Sequence, residues 1–260
     1  MNESKKIIAS LVLYKNDPQV ISQLLLSIKN TPLDIRLSIV DNSPTAELAT
    51  IFSNIEYAEY FHTPSNPGFG ASHNFAISKI KDGDYYIVFN PDVYFEPKVI
   101  PELIDYLDKN TDIGLIQPKI CFPNGNTQYL CKRYPSLFIL FARRFLPKQI
   151  HFPFQNYLDW FEMRDMGYDK ITDVIYLSGC FMLFRKEYLD EIGYFDENIF
   201  MYFEDADITI RMSEKYRSVF YPHVQVFHHW AQGSYSSWKL ALINIQSALY
   251  FFRKHGWKII

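Results

Sequence analysis

Residues 7–43 read IIASLVLYKNDPQVISQLLLSIKNTPLDIRLSIVDNS, and this stretch decides the fold class. Ile7–Leu13 is a short, nearly unbroken apolar run, the pattern of a strand buried on both faces. Asp17 and Pro18 supply an N-cap and a first helical residue, and Val20, Ile21, Leu24, Leu25 and Ile28 follow at helical spacing. Ile35–Val40 is a second strand, ending at Asp41-Asn42-Ser43-Pro44. Strand, helix and strand in this order give a βα unit, the building block of a parallel sheet.

The rhythm continues outward from there. A helix through Leu48–Phe52, a strand near Glu56–Phe61, a glycine-rich turn at Asn66–Gly70, a helix over Ala71–Ile80, a strand at Tyr85–Phe89 and a helix over Pro97–Leu107 follow. Such open sheets bind ligands beyond the carboxyl ends of their strands, where Asp41, Asn66 and Asp92 all fall. From Ile113 the pattern breaks into a stretch rich in proline and aromatics, reaching about Tyr168. Order returns at Val174–Arg185, then a helix over Glu204–Tyr216, strands at Val219–Tyr221 and Val224–His228, and a C-terminal helix from Trp238 to Lys254. The expectation is one α/β domain over residues 1–260: a first half to 112, a second half to 234, and the C-terminal helix beyond.

Composition narrows the functional classes. A net charge of −3 offers no basic field for nucleic acid. Cys121, Cys131 and Cys180 are odd in number and lack CxxC spacing, which argues against a disulfide framework or zinc knuckle and for a reducing, cytoplasmic setting. Lys5 and Lys6 before Ile7–Leu13 resemble the start of a signal segment, but Lys15, Asn16 and Asp17 end the run without a cleavage site. Nowhere do about 18 uncharged apolar residues occur together, so a soluble or membrane-peripheral chain is expected. Aromatic residues make up 17% and concentrate at Tyr129–Phe161 and after Trp230; they suit sugar rings, and equally a core.

Four groups of residues could carry chemistry. Asn90-Pro91-Asp92 follows a strand directly, where a carboxylate can hold a divalent cation against a diphosphate, although the tripeptide is also good turn chemistry. Glu204, Asp205 and Asp207 open a helix, where acids complement the dipole and Asp207 can pair with Arg211 on an exposed face. The aromatic run Phe200–Phe203 beside them would desolvate a carboxylate, as a general base requires. His228 and His229 end a strand, as a metal ligand or as packed core. Asn66-Pro67-Gly68-Phe69-Gly70 lets backbone approach a ligand and opens a helix toward phosphate, yet His73 stands where a dinucleotide fingerprint needs its third glycine. A nicotinamide oxidoreductase is therefore disfavoured. Neighbouring acids on one helical turn also serve a glycoside hydrolase poorly, because that chemistry needs two carboxyls across the scissile bond. A non-catalytic sugar-binding module would explain the aromatics but not the Asp92 and Asp205 loops.

Taken in chain order, Val40–Ser43, Asn66–Gly70 with Asn74, Asn90-Pro91-Asp92, Ser178–Leu183, Gly193–Asp196, Phe200–Asp207 and His228 resemble family 2 glycosyltransferases of the GT-A fold. Within that family the pattern is most similar to bacterial rhamnosyltransferases of O-antigen and capsule assembly, over about Ile7 to Ser234. The resemblance implies a single Rossmann-like mixed sheet flanked by helices, with an acceptor-side lobe. It implies an inverting transfer of a sugar, L-rhamnose from dTDP-L-rhamnose or a sugar from a UDP donor, onto a saccharide or lipid-linked acceptor. Asp41 would hold the nucleotide base or ribose, with Tyr14 nearby, and Asn66, Asn74 and Asn90 would line the donor pocket. Asp92, the last position of the DxD motif, would bind Mg²⁺ or Mn²⁺ together with His228. Asp205, the acid of the ED motif, would be the general base, with Gly179 and Glu204 toward the acceptor. Asn90 departs from the motif by replacing its first acid. The stretch Tyr129–Tyr168 matches no part of the pattern and is expected to shape the acceptor site.

The C-terminal segment mixes Leu240, Ile243, Ile245, Leu249, Tyr250, Phe251 and Phe252 with Arg253, Lys254, His255 and Lys258. That composition suits the surface of a membrane or, equally, packing on the core or against a second copy in a homodimer.

Overall fold

The computed structural model describes residues 5–80, 82–145, 154–230 and 238–259. The boundary expected at residue 234 lies outside them, as do residues 146–153 of the aromatic-rich stretch. The first half follows the expected rhythm: β1 (Ile7–Leu13), α1 (Pro18–Asn30), β2 (Ile35–Asp41), α2 (Ala49–Phe52), β3 (Ala58–His62), α3 (Phe69–Lys79), β4 (Tyr85–Phe89), β5 (Val93–Phe95) and α4 (Val99–Lys109). Asp17 caps α1 as expected, its carboxylate accepting from the Gln19 N–H at 2.8 Å. β1 is parallel to β2 on one side and to β4 on the other, so both of its faces and both of its edges are covered. Its near-continuous apolar sequence is the result.

The second half contains more sheet than its sequence suggests. β6 (Ile113–Cys121) begins where the βα pattern breaks, and after α5 (Leu137–Phe145), α6 (Gln155–Phe161) and β7 (Thr172–Asp173) comes β8 (Phe181–Arg185). Then follow α7 (Lys186–Ile192), α8 (Glu204–Ser213), β9 (Arg217–His228) and α9 (Trp238–His255). Pro118 and Gly114 disguise β6, because a proline removes a ladder donor and a glycine weakens a strand. Register shifts against β9 fall at Ile113/Leu115 and at Pro118/Lys119, and so absorb both residues. The two strands expected at Val219–Tyr221 and Val224–His228 are one, β9, running through Pro222.

Among the described residues the sheet order is β3-β2-β1-β4-β8-β6-β9-β5, with β7 on β9. β8 runs antiparallel between β4 and β6, so strands from both halves of the chain share one mixed sheet. One apolar cluster, from Ile7 to Val226, fills the side of the sheet covered by α1 and α4. A second, including Ile77, Phe184, Phe195 and Met212, lies on the side of α3 and α8. All three cysteines, Cys121, Cys131 and Cys180, are free and buried.

Candidate active site

The carboxyl ends of β4, β2 and β1 open onto one region, and each loop there is pinned by identifiable bonds. Asp92 follows β4 and leads into β5, whose pairing places Val93 opposite His228 on β9. The Asp92 carbonyl accepts from the His229 N–H at 3.0 Å. Successive side chains alternate across a strand, so the two histidines part company. His228 turns inward, 5% exposed, with Nε2 3.3 Å from Asp92 Oδ1, while His229 meets Gln23 at 2.8 Å.

The tautomer of His228 follows from Gln128. The Gln128 amide nitrogen donates to the His228 carbonyl at 2.6 Å, so its Oε1, 2.9 Å from His228 Nδ1, must accept a proton carried there. A neutral ring then keeps its Nε2 lone pair, and that lone pair faces the Asp92 carboxylate. Two acceptors at this distance repel unless a proton or a cation lies between them. An imidazole whose far nitrogen is tied to an amide, beside a carboxylate, is a donor pair that fits a divalent ion. Burial pushes the Asp92 carboxyl upward; when a proton on Nε2 takes the place between the two groups, the donating His228 ring draws that carboxyl below the usual carboxylate range. No cluster of three His, Cys, Asp or Glu side chains forms among the described residues, so diphosphate oxygens and water would have to complete the coordination of such an ion.

Asp205 lies in the first turn of α8. Its Oδ2 accepts from the Gly179 N–H at 3.1 Å and its Oδ1 from the Ala206 N–H at 2.9 Å. A Cβ on Gly179 would stand 3.4 Å from the Asp205 Cβ and 3.5 Å from the Phe69 ring, in ordinary van der Waals contact with both. Burial raises the Asp205 carboxyl above its ordinary value, opposed by the Lys132 charge and the two N–H groups. Glu204 lines the same cleft as Asp205 but is bonded differently: it is buried, its Oε2 has no hydrogen-bond partner among the described residues, and burial together with the Asp205 charge pushes its carboxyl well up. Cys180 joins the two carboxylate loops. Its carbonyl accepts from the Asn90 N–H at 2.9 Å, and its thiol, held at about 12 mainly by burial, feels both Asp92 and Asp205.

A cleft of about 260 Å³ opens in front of Asp205, walled by Lys132, Tyr176, Tyr202, Trp230 and, from α9, Ala241 and Asn244. Lys132 stands 4.4 Å from the centre of the Tyr176 ring. Neither Lys132 nor Gln128 could be picked out from the sequence, because their importance arises from contacts with residues more than 40 positions away.

The other expected donor-side residues have defined places. Tyr14, at the end of β1, is 51% exposed with Lys15 over its ring. Asn66 has a left-handed backbone in the turn ahead of α3, and Asn90 is partly buried beside Asp92. Asp41 is fully enclosed, accepting from the Ser43 N–H at 2.8 Å and the Tyr60 hydroxyl at 2.6 Å. In this geometry it fixes the loop under Tyr14 instead of facing a ligand itself. Asn74 also differs from the expectation. Both its amide hydrogens go to Phe195 O and Glu197 Oε1 at 2.9 Å, and its oxygen accepts from the Phe195 N–H, so it ties α3 to the loop before α8. The same loop meets Gly68, where a Cβ would lie 2.3 Å from the Phe200 carbonyl oxygen and φ is +107°. The Asp207–Arg211 pair is present at 2.9 Å, but Asp207 is fully buried, and Lys254 and His255 also reach its other oxygen. The exposed helix face expected for it is therefore wrong: α9 covers it.

A mixed sheet flanked by helices on both faces is the fold of the GT-A glycosyltransferases. Solved structures of that class share the fold. GalNAc-T7 with UDP, GalNAc and Mn²⁺ matches 86% of this chain at a TM-score of 0.65 and 14% identity. The Pyrobaculum calidifontis mannosyltransferase PcManGT with GDP-Man and Mn²⁺ matches 97% at 0.64 and 13%, and S. aureus TarS matches 93% at 0.59 and 16%. The chain spans 43%, 65% and 39% of those GalNAc-T7, PcManGT and TarS chains, respectively. The sequence pattern of Glycosyl transferase family 2 matches residues 11–193, and the chain belongs to that family. It is a glycosyltransferase. A curated relative, the N-acetylglucosaminyl-diphospho-decaprenol L-rhamnosyltransferase of Mycobacterium tuberculosis, is 28% identical over 211 residues, 75% of this chain and 67% of the relative.

Proposed function

We propose that this chain is an inverting, metal-dependent rhamnosyltransferase. It moves L-rhamnose from dTDP-L-rhamnose onto a saccharide carried by a lipid diphosphate, at the cytoplasmic face of a bacterial membrane, in polysaccharide assembly. The observation that carries this reading is the placement of Asp205: a carboxylate of raised proton affinity, held by two backbone N–H groups at the head of an aromatic cleft. The rhamnosyltransferase relative supports the sugar and the class of acceptor.

In this reading Asp205 takes the proton from an acceptor hydroxyl as its oxygen attacks the anomeric carbon in a single displacement. Tyr202 and Trp230 hold the acceptor sugar by their faces, Tyr176 backs the cleft beneath Lys132, and together they keep water from the attacking oxygen. Gly179 and Ala206 fix the orientation of the carboxylate, and Tyr14 lies open beside the base of the nucleotide. When bound by Asp92 and His228, Mg²⁺ or Mn²⁺ supplies charge stabilisation to the departing diphosphate.

Purified enzyme, a divalent metal and a lipid-diphosphate N-acetylglucosamine acceptor should release dTDP from dTDP-L-rhamnose faster than UDP from UDP-galactose or UDP-N-acetylglucosamine. Faster release of UDP, or undiminished turnover in excess EDTA, overturns the donor or the metal assignment respectively.

A further inference from the structure

We infer that α9 is an interfacial helix, which lays the mouth of the acceptor cleft on an anionic lipid surface. Trp238, Leu242, Ile245 and Leu249 recur at spacings of four, three and four, so they form one stripe along the helix. They are 71%, 44%, 38% and 41% exposed, and Trp257 and Ile259 beyond the helix are 53% and 71% exposed. The opposite side of α9 is already occupied. Phe251 and Phe252 are fully buried against the Phe203 region, Ser247 donates to the Met201 carbonyl at 2.8 Å, and Lys254 bonds Asp196 and Asp207.

Charge identifies the occupant of the free stripe. Residues 238–259 contain no aspartate or glutamate, and Lys239, Arg253 and Lys258 are exposed along them. A second copy docked symmetrically through this stripe would set these cations against their own counterparts, whereas an anionic lipid headgroup layer complements them. Among the described residues no helix, α9 included, is long and apolar enough to cross a bilayer, so α9 would lie along the surface. The same helix supplies Ala241 and Asn244 to the wall of the cleft that holds Asp205. A surface-bound α9 therefore brings that opening to the plane in which lipid-carried saccharides present their hydroxyls. This last step rests on the proposed acceptor class; binding to the surface itself does not.

The test uses the full chain with no nucleotide sugar present, so that it stands or falls apart from the donor assignment. Vesicles of phosphatidylglycerol and phosphatidylethanolamine should co-sediment the protein at low salt and shift tryptophan emission to the blue, while pure phosphatidylcholine should not. The double variant Leu242→Glu/Leu249→Glu should weaken co-sedimentation by about tenfold or more while keeping native circular dichroism and turnover of a water-soluble acceptor. Lys239→Glu/Arg253→Glu provides a second route that leaves every apolar contact in place, and it too should reduce binding. Failure of the unaltered chain to bind anionic vesicles overturns the inference. So does equal binding by both variants, or a concentration-dependent dimer that Leu242→Glu/Leu249→Glu dissolves.

Discussion

Asp205 and Glu204 are neighbours in sequence with different surroundings, and this difference separates their roles. Asp205→Asn keeps the shape and one hydrogen-bond acceptor but cannot take a proton at neutral pH. Turnover should fall by about 10²–10⁴-fold with donor affinity nearly unchanged, as initial rates and calorimetry would show. Glu204→Gln should have the opposite character. A carboxyl raised in the folded state stabilises the protein only below its unfolded value of about 4.3, and that contribution is lost as pH rises through the folded value. The Gln variant escapes this loss, so its melting temperature should pull ahead of the parent as pH rises above about 4. A variant that melts lower across that range would show that Glu204 is held by a partner that favours its charge. At the Asp92–His228 pair, Gln128→Leu leaves both side chains in place but frees the His228 tautomer. Mn²⁺ affinity measured with nucleotide present should drop about 10–100-fold.

Helix α8 is entered through two consecutive left-handed aromatic residues, Tyr202 at φ 71° and Phe203 at φ 69°. Each costs on the order of 1–3 kcal/mol, so the surroundings must over-determine the turn. They do so from α9: Phe203 packs on Phe251, and Asp207 collects Lys254 and His255 in addition to Arg211 of its own helix. Burial works to raise the Asp207 carboxyl, but His255, Arg211 and Lys254 bring it below normal. Asp207→Asn should therefore cost about 2–3 kcal/mol in denaturant unfolding, less than the roughly 3–5 for a fully buried pair because Arg211 and Lys254 keep some water. The depressed carboxyl stabilises the fold above its unfolded value, so the deficit of the variant should shrink as pH falls toward and through the native value of Asp207. The Asp207–Arg211 spacing was legible in the sequence, and its burial was not, because α9 arrives from 40 residues away. The same distinction holds for the fold. β1, α1, β2 and β4 carry local periodicity and could be read directly, whereas β6 hides behind Pro118 and β5 is three residues long. In the site, Asp92, His228 and Asp205 stood in recognisable motifs. Asp41 and Asn74 stood in them as well, yet their side chains turn to structural bonds that no spacing reveals.

At the scale of the molecule, the sheet is one object stitched together late. β8 fills the gap between β4 and β6, and its segment, Phe181–Arg185, follows β4 by about 90 positions. A fragment ending at residue 112 would hold the β3-β2-β1-β4 ladder with the edge of Tyr85–Phe89 bare, and those five residues are all buried in the complete protein. An apolar, uncapped strand edge is a template for pairing with other chains. Such a fragment should sediment as aggregate, and only a chain that extends through β9, which covers the far edge of β6, should be markedly more soluble. For a ribosome making this protein the consequence is a matter of timing. From the moment β4 emerges until β8 follows it, the nascent chain exposes its most adhesive edge, and a chaperone or a slowed stretch of translation acting in that interval would decide how much enzyme survives its own synthesis.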